Sequence, residues 1–539
     1  MPDTPTGAGS PASPRFSLGR AADRLGPWSL YFIAKLLLLW RGLIAFHPIE
    51  NLVFLAILAG PLASPRWKRL RPWIGTPVAI ALLYYDSYLP KASRVVSQAG
   101  LVSSFSADYL AELAGRFVSV PVLALLAAAA AAFFVLARFV RTDVLALAGA
   151  LVATPFQPPF SSPALSVAAS TGAGPAAAPV TPDAALAAFR ESESRRRVDF
   201  TAPPEGATAF DVIFIHVCSL SWDDLEATGL RDHPLLKGFD VTMRRFNSAS
   251  AYSGPSAIRL LRGNCGQPSH RDLYAPPAEG CLLMPALDKA GLKPDLVLNH
   301  DGHFDDFLRI VRAQGVSAEP VPLKGLPAPL RSFDDSRIYE DFAVLDRWLA
   351  RRAKDPSPRV AAYYNSISLH DGNHLPGRGG KTSLETYKAR LETLLDDLER
   401  FVAKLDASGR RAVVVVMPEH GAALRGEPGQ IAGLREIPSP AITLVPVGVR
   451  VTGPGARRQG EPLAIDAPVS YLALSTLLQR MLEKPPFPAG GYRPADYATD
   501  LPQTPFVSEG EAATVIGLGD KVLVRQDGEA WRELPAAPR

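Results

Sequence analysis

The sequence predicts two dissimilar parts: an N-terminal helical transmembrane bundle, and an α/β domain whose mainly parallel central sheet is covered by helices on both faces. Three observations predict this. Apolar segments crowd the first third of the 539 residues, with basic residues on alternate loops between them. A stretch rich in Pro, Ala, Ser and Gly follows. Beyond it, short apolar runs alternate with stretches of helical period, as in a parallel sheet with crossover helices. The division is then 1–26 as a cytoplasmic N-terminus, 27–157 as the transmembrane domain, 158–206 as a linker and 207–539 as an exported, periplasmic domain.

Five spans are expected, at about Leu30–Phe46, Asn51–Leu62, Ile74–Leu89, Val118–Val140 and Val144–Phe156. The fourth is clearest, because Val120 to Val135 carries no charge and approaches the ~20 residues that cross a bilayer. The second and fifth are short, which leaves a count of four open. Arg15, Arg20 and Arg24 precede the first span, Arg66, Lys68, Arg69 and Arg71 follow the second, and Arg138 and Arg141 follow the fourth. By the positive-inside rule the N-terminus is cytoplasmic, and five spans put everything after residue 157 outside the inner membrane. No A-x-A-like site follows the first apolar stretch, so it reads as retained. Lys35, within that span, is better explained by facing the bundle or snorkelling than by a lipid-headgroup role.

All three cysteines lie beyond the membrane region. Cys265 and Cys281 enclose fifteen residues, a natural disulfide loop whose closure would contribute ~3 kcal/mol and presupposes an oxidising compartment. That pairing leaves Cys218 odd, which asks for a chemical explanation. A net charge of +4 gives no electrostatic footprint for nucleic acid. The prolines from Pro158 to Pro182 and the charged stretch Arg190–Arg197 suit a tether, with a short helix at Ala184–Arg190. Strand-like runs occur at Asp211–Val217, Asp295–Leu298, Val360–Tyr364, Ala412–Met417 and Ala441–Pro446. Helical patterns occur at Pro255–Leu261, Tyr339–Arg352, Leu384–Leu405 and Ser470–Leu482, and Lys521–Arg525 suggests a terminal hairpin.

The chemistry concentrates at strand ends. Glu419-His420 arrives directly off Ala412–Met417 and Pro418, Cys218 closes Phe210–Val217, and Ser253-Gly254-Pro255 opens a helix. Ligands bind beyond the carboxyl ends of strands in open α/β sheets. Cys218, Ser253, Glu419 and His420 offer thiolate, hydroxyl, carboxylate and imidazole, a four-ligand zinc set. Ser253 is the candidate nucleophile, at a helix start whose free amides suit an anionic phosphate; a plain N-cap serine is the bland alternative. His370, in Ser-Leu-His-Asp-Gly-Asn-His, is the candidate acid/base, with His374 its rival. Arg435 is a candidate clamp on a phosphoryl oxygen, against a surface ion-pair role. Tyr252 bonds a phosphate oxygen or packs. His300 and His303 rank lower, as polar turn residues.

Val217-Cys-Ser-Leu-Ser-Trp-Asp-Asp-Leu, Ser250-Ala-Tyr-Ser-Gly-Pro-Ser-Ala-Ile-Arg-Leu-Leu-Arg262, Leu369-His-Asp-Gly-Asn-His, Pro418-Glu-His-Gly and Gly433-Leu-Arg-Glu-Ile-Pro-Ser-Pro together resemble the BcsG family of cellulose phosphoethanolamine transferases. The similarity runs from Tyr31-Phe-Ile-Ala-Lys-Leu to Leu501-Pro-Gln-Thr-Pro-Phe-Val-Ser-Glu. It implies an alkaline phosphatase/sulfatase-like fold, zinc on Cys218, Ser253, Glu419 and His420, help from His370, Arg435 and Tyr252, and a Cys265–Cys281 disulfide. The implied reaction moves phosphoethanolamine from phosphatidylethanolamine to a glucose C6 hydroxyl of cellulose through a covalent serine intermediate. Transfer to lipid A or another periplasmic glycan is the alternative activity. A mainly structural role beside cellulose synthase complex subunits, with the spans as partner surface, is the alternative from another class. The extra length at Pro376-Gly-Arg-Gly-Gly-Lys departs from the pattern next to His370.

Overall fold

The structure is a computed structural model and describes residues 25–41, 44, 46–60, 65–87, 105–117, 120–137, 142–153, 180–377, 382–427, 430–526 and 530–534. The described elements form two compact units. The first holds α1 (Trp28–Trp40), α2 (Pro48–Ala59), α3 (Pro65–Asp86), α5 (Val120–Leu136) and α6 (Thr142–Ala153). The second holds α4 (Ala107–Phe117) and everything from α7 (Pro182–Ser194) onward.

Each of the five expected spans falls on a helix of the first unit, but no single described helix is long and apolar enough to cross a membrane. The basic residues expected in a loop, Arg66 to Arg71, lie in the opening turns of α3. Within the unit, Phe32, Phe54, Leu55, Leu58, Ala146 and Ala150 pack together. Lys35 is buried: its ammonium pairs with Asp86 and donates to Asn51 Oδ1 at 2.7 Å. Asn51 and His47 also bond Asp86, at 2.8 and 2.6 Å. Every charge in this cluster has a partner, so Lys35 faces protein and neither snorkels nor meets a headgroup.

The second unit is built on a seven-stranded sheet in the order β3-β6-β1-β7-β8-β2-β9. Its strands are β1 (Asp211–Val217), β2 (Val241–Asn247), β3 (Lys293–Leu298), β6 (Val360–Ser366), β7 (Ala412–Pro418), β8 (Leu444–Thr452) and β9 (Leu463–Ile465); β4 (Leu330–Arg331) and β5 (Arg337–Ile338) form a separate hairpin. Only β8 runs against the others. Because side chains alternate along a strand, Val212 and Phe214 enter one apolar cluster while Ile213, Ile215 and Val217 enter another. α9 (Ser253–Leu261), α10 (Phe307–Ala313) and α13 (Tyr471–Glu483) cover the first face, and α8 (Trp222–Thr228), α11 (Asp341–Arg352) and α12 (Ser383–Ala407) the second. Both faces are therefore dry, which is why these strands read as unbroken apolar runs.

Three expectations change. The strand expected at Ala441–Pro446 begins as a helical turn, Pro440–Thr443, after a proline suited to a first turn. Part of the expected linker docks on the domain: the short helix expected at Ala184–Arg190 lies within the longer α7, which is capped by Thr181 and buries Leu186 and Phe189 against Val507, Ile516 and Leu523. The terminal hairpin grows into a four-stranded antiparallel sheet spanning Val507 to Glu533. Residues 154–179 and 378–381, which hold the remaining linker and most of the insertion near His370, lie outside the described residues.

Cys265 and Cys281 form a disulfide with Cα atoms 5.3 Å apart, closing the loop beside α9. Reduction should lower unfolding stability by about 3 kcal/mol. Urea titration of the folded chain with and without reductant checks this; superimposable curves would show that the loop is held by its other contacts.

Candidate functional site

The site is set by backbone register. In β1, Val217 pairs with Ser366 of β6 and Pro418 of β7, so the three strands end level. The Glu419 amide donates to Val217 O (2.8 Å), the Cys218 amide to Ser366 O (2.9 Å) and the Leu220 amide to His420 O (2.6 Å). Cys218 and Glu419-His420, 201 positions apart or more in sequence, are thereby stitched side by side. Ser219 (φ 61°) and Ala249 (φ 59°) flank the site in the left-handed region, at about 1–3 kcal/mol each for residues with a Cβ. Asn247 Oδ1 relieves the second by accepting the Ala249 amide at 2.9 Å. Tyr252 occupies the N-cap position and Ser253 is the first helical residue of α9, not its cap.

The four donors converge. Cys218 Sγ is 3.3 Å from Ser253 Oγ and 3.9 Å from His420 Nε2, Ser253 Oγ is 3.5 Å from that nitrogen, and Glu419 Oε2 is 3.8 Å from it. Bonds of about 2.0–2.3 Å in a tetrahedron place neighbouring donors roughly 3.3–3.8 Å apart, so the spacing suits a small cation. Cys218, Glu419 and His420 form a group able to hold a metal ion. His420 Nδ1 lies 2.9 Å from Gly421 O and must donate to it, which leaves the Nε2 lone pair facing the other donors. Glu419 Oε2 is buried and has no hydrogen-bond partner among the described residues. Such an orphaned carboxylate oxygen is costly unless something binds it. The residues fit a divalent metal.

Burial opposes every charged form here. It lifts the Cys218 thiol, lifts the Glu419 carboxyl to about 7 and pushes His420 down. A cation reverses that logic, since thiolate and carboxylate would face positive charge.

Around the donors stands a second layer. Asn365, near the end of β6, donates to Glu419 Oε1 at 2.6 Å. His300 Nδ1 accepts the Gly302 amide, so its Nε2–H donates to Asn365 Oδ1 at 3.0 Å. His300, ranked low from sequence, thus supports the Glu419 ligand through Asn365. Asn365 went unnoticed, although a polar residue closing a buried strand was a usable signal. His303 is exposed.

His370 is buried, with Nδ1 2.7 Å from Asp371 O, again forcing donation and freeing Nε2. Its ring contacts Phe304 and Phe333 at centroid distances of 4.6 and 5.5 Å. Burial first, then the charge of Arg435, lowers its pKa to about 4. His374 is one-third exposed, 3.4 Å from Asp335, and pairs through its backbone with Arg331. Arg435 is no surface arginine: it is buried, donates to Ala251 O at 3.2 Å and lies 5.4 Å from the Tyr252 ring. Its Nη1 has no partner among the described residues, which marks a place for an anion. The Tyr252 hydroxyl donates to Glu436 at 2.8 Å.

Residues 168–531 match the family described as "Cellulose biosynthesis protein BcsG C-terminal domain", and residues 28–154 match "Cellulose biosynthesis protein BcsG N-terminal domain". The chain belongs to the BcsG family. It is 42% identical to "Cellulose biosynthesis protein BcsG" of Escherichia coli (strain K12) over 541 aligned positions, 95% of this chain and 96% of the relative. The BcsG protein of Salmonella typhimurium is 40% identical, with the same coverage. Among solved structures, a lipooligosaccharide phosphoethanolamine transferase A from Neisseria meningitidis aligns with 84% of this chain and 94% of its own, at TM-score 0.40 and 12% identity.

The Asn365–Glu419 bond makes a direct prediction. Asn365→Ala should weaken metal binding by about 10–100-fold, the usual cost of removing a group that orients a ligand. Chelator competition measures it, with circular dichroism as the folding control. Unchanged affinity would show that Glu419 needs no such support.

Proposed function

We propose that this BcsG-family chain is a zinc-dependent phosphoethanolamine transferase of the bacterial inner membrane, with an alkaline phosphatase/sulfatase-like catalytic domain in the periplasm. It takes phosphoethanolamine from phosphatidylethanolamine and delivers it to cellulose, on the glucose C6 hydroxyl. The observation that carries this reading is Ser253 Oγ at the start of α9, within 3.5 Å of both Cys218 Sγ and His420 Nε2. The relatives' description as cellulose biosynthesis proteins supports the acceptor.

Cys218, Ser253, Glu419 and His420 would hold the zinc, which when bound lowers the pKa of the serine hydroxyl and offsets phosphoryl charge. Ser253 Oγ, its proton released to water before the donor binds, attacks phosphorus in line, and the bond to diacylglycerol breaks with its electron pair on the alkoxide. His370, having taken up a proton as the phosphodiester anion binds, gives it to that alkoxide from Nε2. The free amides at the start of α9 and the unpartnered Nη1 of Arg435 hold the phosphoryl oxygens. In the second displacement neutral His370 takes the proton from the incoming glucose hydroxyl as that oxygen bonds to phosphorus and Ser253 leaves. Tyr252 stacks on Arg435 and, bonded to Glu436, keeps the clamp in place.

The first unit supports a multi-pass membrane position. Its buried interior holds Lys35, Asn51 and Asp86, while Trp40, Ile57, Trp73, Ile80 and Phe134 are more than half exposed. That polarity is inverted relative to a water-soluble protein and suits lipid contact. A membrane position keeps the site near a donor that does not diffuse through water.

A groove of about 840 Å³ runs along Gly254, Pro255 and Ile258 of α9 and is edged by Tyr274, His303 and Arg309. The groove thus borders the nucleophile helix, and Phe304, next in sequence to the groove residue His303, packs on His370. An exposed tyrosine with polar neighbours suits a sugar polymer, whose faces are apolar and edges hydroxylated.

Two results test the reading. After incubation with phosphatidylethanolamine, mass spectrometry should find a phosphoethanolamine adduct on the Ser253 peptide, and Ser253→Ala should abolish it and all cellulose modification while retaining the fold. Full modification by Ser253→Ala would sink the catalytic reading. Tyr274→Ala should raise KM for cello-oligosaccharide acceptors about tenfold, the loss of one stacking contact of ~1–1.5 kcal/mol, with adduct formation unchanged. An unchanged KM would place the acceptor elsewhere.

A further inference from the structure

The acid/base loop is gripped from an unexpected part of the chain. α4 lies in sequence between α3 and α5, yet its contacts are with the second unit. Its inward side chains Tyr109, Glu112 and Arg116 recur at i, i+3 and i+7, one face of a helix. Arg116 makes a two-pronged bond to Asp371, Nη1 to Oδ2 at 2.7 Å and Nη2 to Oδ1 at 2.6 Å. Tyr109 donates its hydroxyl to the same carboxylate at 3.1 Å. Glu112 pairs with Arg116 and accepts the Ser383 amide at 3.0 Å, at the start of α12. Arg116 and Asp371 are nearly buried, 10% and 11% exposed. Burial alone would raise the Asp371 carboxyl, yet Arg116 holds it well below the usual carboxylate range.

Asp371 is also the residue whose carbonyl oxygen accepts the His370 Nδ1 proton. The ring of His370 is reached from the same helix by a second route. Tyr109 contacts Phe333 at 5.9 Å, and Phe333 contacts His370 at 5.5 Å. Close approach is required throughout: a Cβ on Gly372 would lie 2.7 Å from the Tyr109 ring, and one on Gly433 would lie 2.5 Å from Arg116 Nη1. Two glycines, one beside the acid/base loop and one beside Arg435, therefore make room for α4.

Resting on the transferase reading, we infer that Arg116, with Tyr109, is a positioning residue that fixes Asp371 and through it aims His370 Nε2 at the leaving and entering oxygens. The acid/base half of the site is thus completed by a segment lying in sequence among the apolar helices. Arg390, which donates to Ser368 O at 2.7 Å and Ser383 O at 2.8 Å, holds the loop's path; only α4 reaches the Asp371 carboxylate from outside α12 and its own loop, among the described residues.

A misaimed general acid hurts departure of a basic alkoxide and scarcely affects a leaving group stable as an anion, whereas simple structural damage slows both. The test compares Ser253 adduct formation by the full chain in detergent from phosphatidylethanolamine and from p-nitrophenyl phosphoethanolamine. Arg116→Ala should slow the lipid reaction about 100-fold, the low end of a general acid's contribution, and the aryl reaction less than about threefold. Arg116→Lys keeps the charge without the two-pronged geometry; it should show the same split, about tenfold, and serves if the alanine variant does not fold. Equal slowing of both donors, or slowing of neither, overturns the inference. Failure of the transferase reading shows differently, as no adduct from either donor in the unaltered chain.

Discussion

The level ending of β6, β1 and β7 is the constraint on which the site depends. Side chains alternate with a period of two, so a slip of one residue between β1 and β7 would turn Cys218 away from Glu419 and reverse every buried position on the moved strand. The register is held because both faces are packed: Val413, Val415 and Met417 fill one cluster, and Val414 and Val416 the other. At the opposite end of the sheet, Arg352 forms a buried two-pronged pair with Asp211, which also accepts the Val360 amide. That joint ties α11, β1 and β6 together where the strands begin. The apolar interior thus sets the spacing of polar groups that lie beyond its edge.

Gathering a thiol, a carboxyl, an imidazole and a hydroxyl in a dry place works against folding, because each loses water. The surroundings offset this selectively. Asn365, Gly421 O and the backbone stitches satisfy the outward atoms, and the inward ones, Glu419 Oε2 and His420 Nε2, are left facing each other. Arg435 repeats the pattern with one nitrogen anchored and another without a partner among the described residues. An arrangement that satisfies the outward atoms and turns the inward ones toward one another is suited to a cation beside an anion.

The strands β1, β6 and β7 were legible because strands buried on both faces read as unbroken apolar runs, and the strand-end residues Cys218 and Glu419-His420 followed from them. β2 was not, since Val241-Thr-Met-Arg-Arg-Phe-Asn has the mixed polarity of a strand near the sheet's edge. Residues 180–194 read as tether with a short helix at Ala184–Arg190, because alanine and charged residues dominate there; only the apolar Leu186 and Phe189 enter a core, too few to register as a pattern. The convergence of the four donors was expected from residue type, but the support of Glu419 by Asn365 and His300 is a tertiary arrangement with no local spacing to announce it. Arg116 is harder still. Its partner lies 255 residues away, and in sequence it looks like one more basic residue near an apolar stretch.

That last case bears on the proposed transfer, in which two displacements would share one acid/base. The same imidazole would protonate a lipid alkoxide and then deprotonate a sugar hydroxyl, so its Nε2 would have to sit where both oxygens pass. The loop's carboxylate is held by Arg116 and Tyr109, on a helix of the second unit whose chain neighbours on both sides belong to the first. Displacing α4 would remove both the Asp371 bonds and the Tyr109–Phe333 contact behind the His370 ring, while leaving the metal-binding donors untouched. Ser253 and His370 therefore rest on separate supports, and only the second depends on a segment that lies in sequence among the apolar helices.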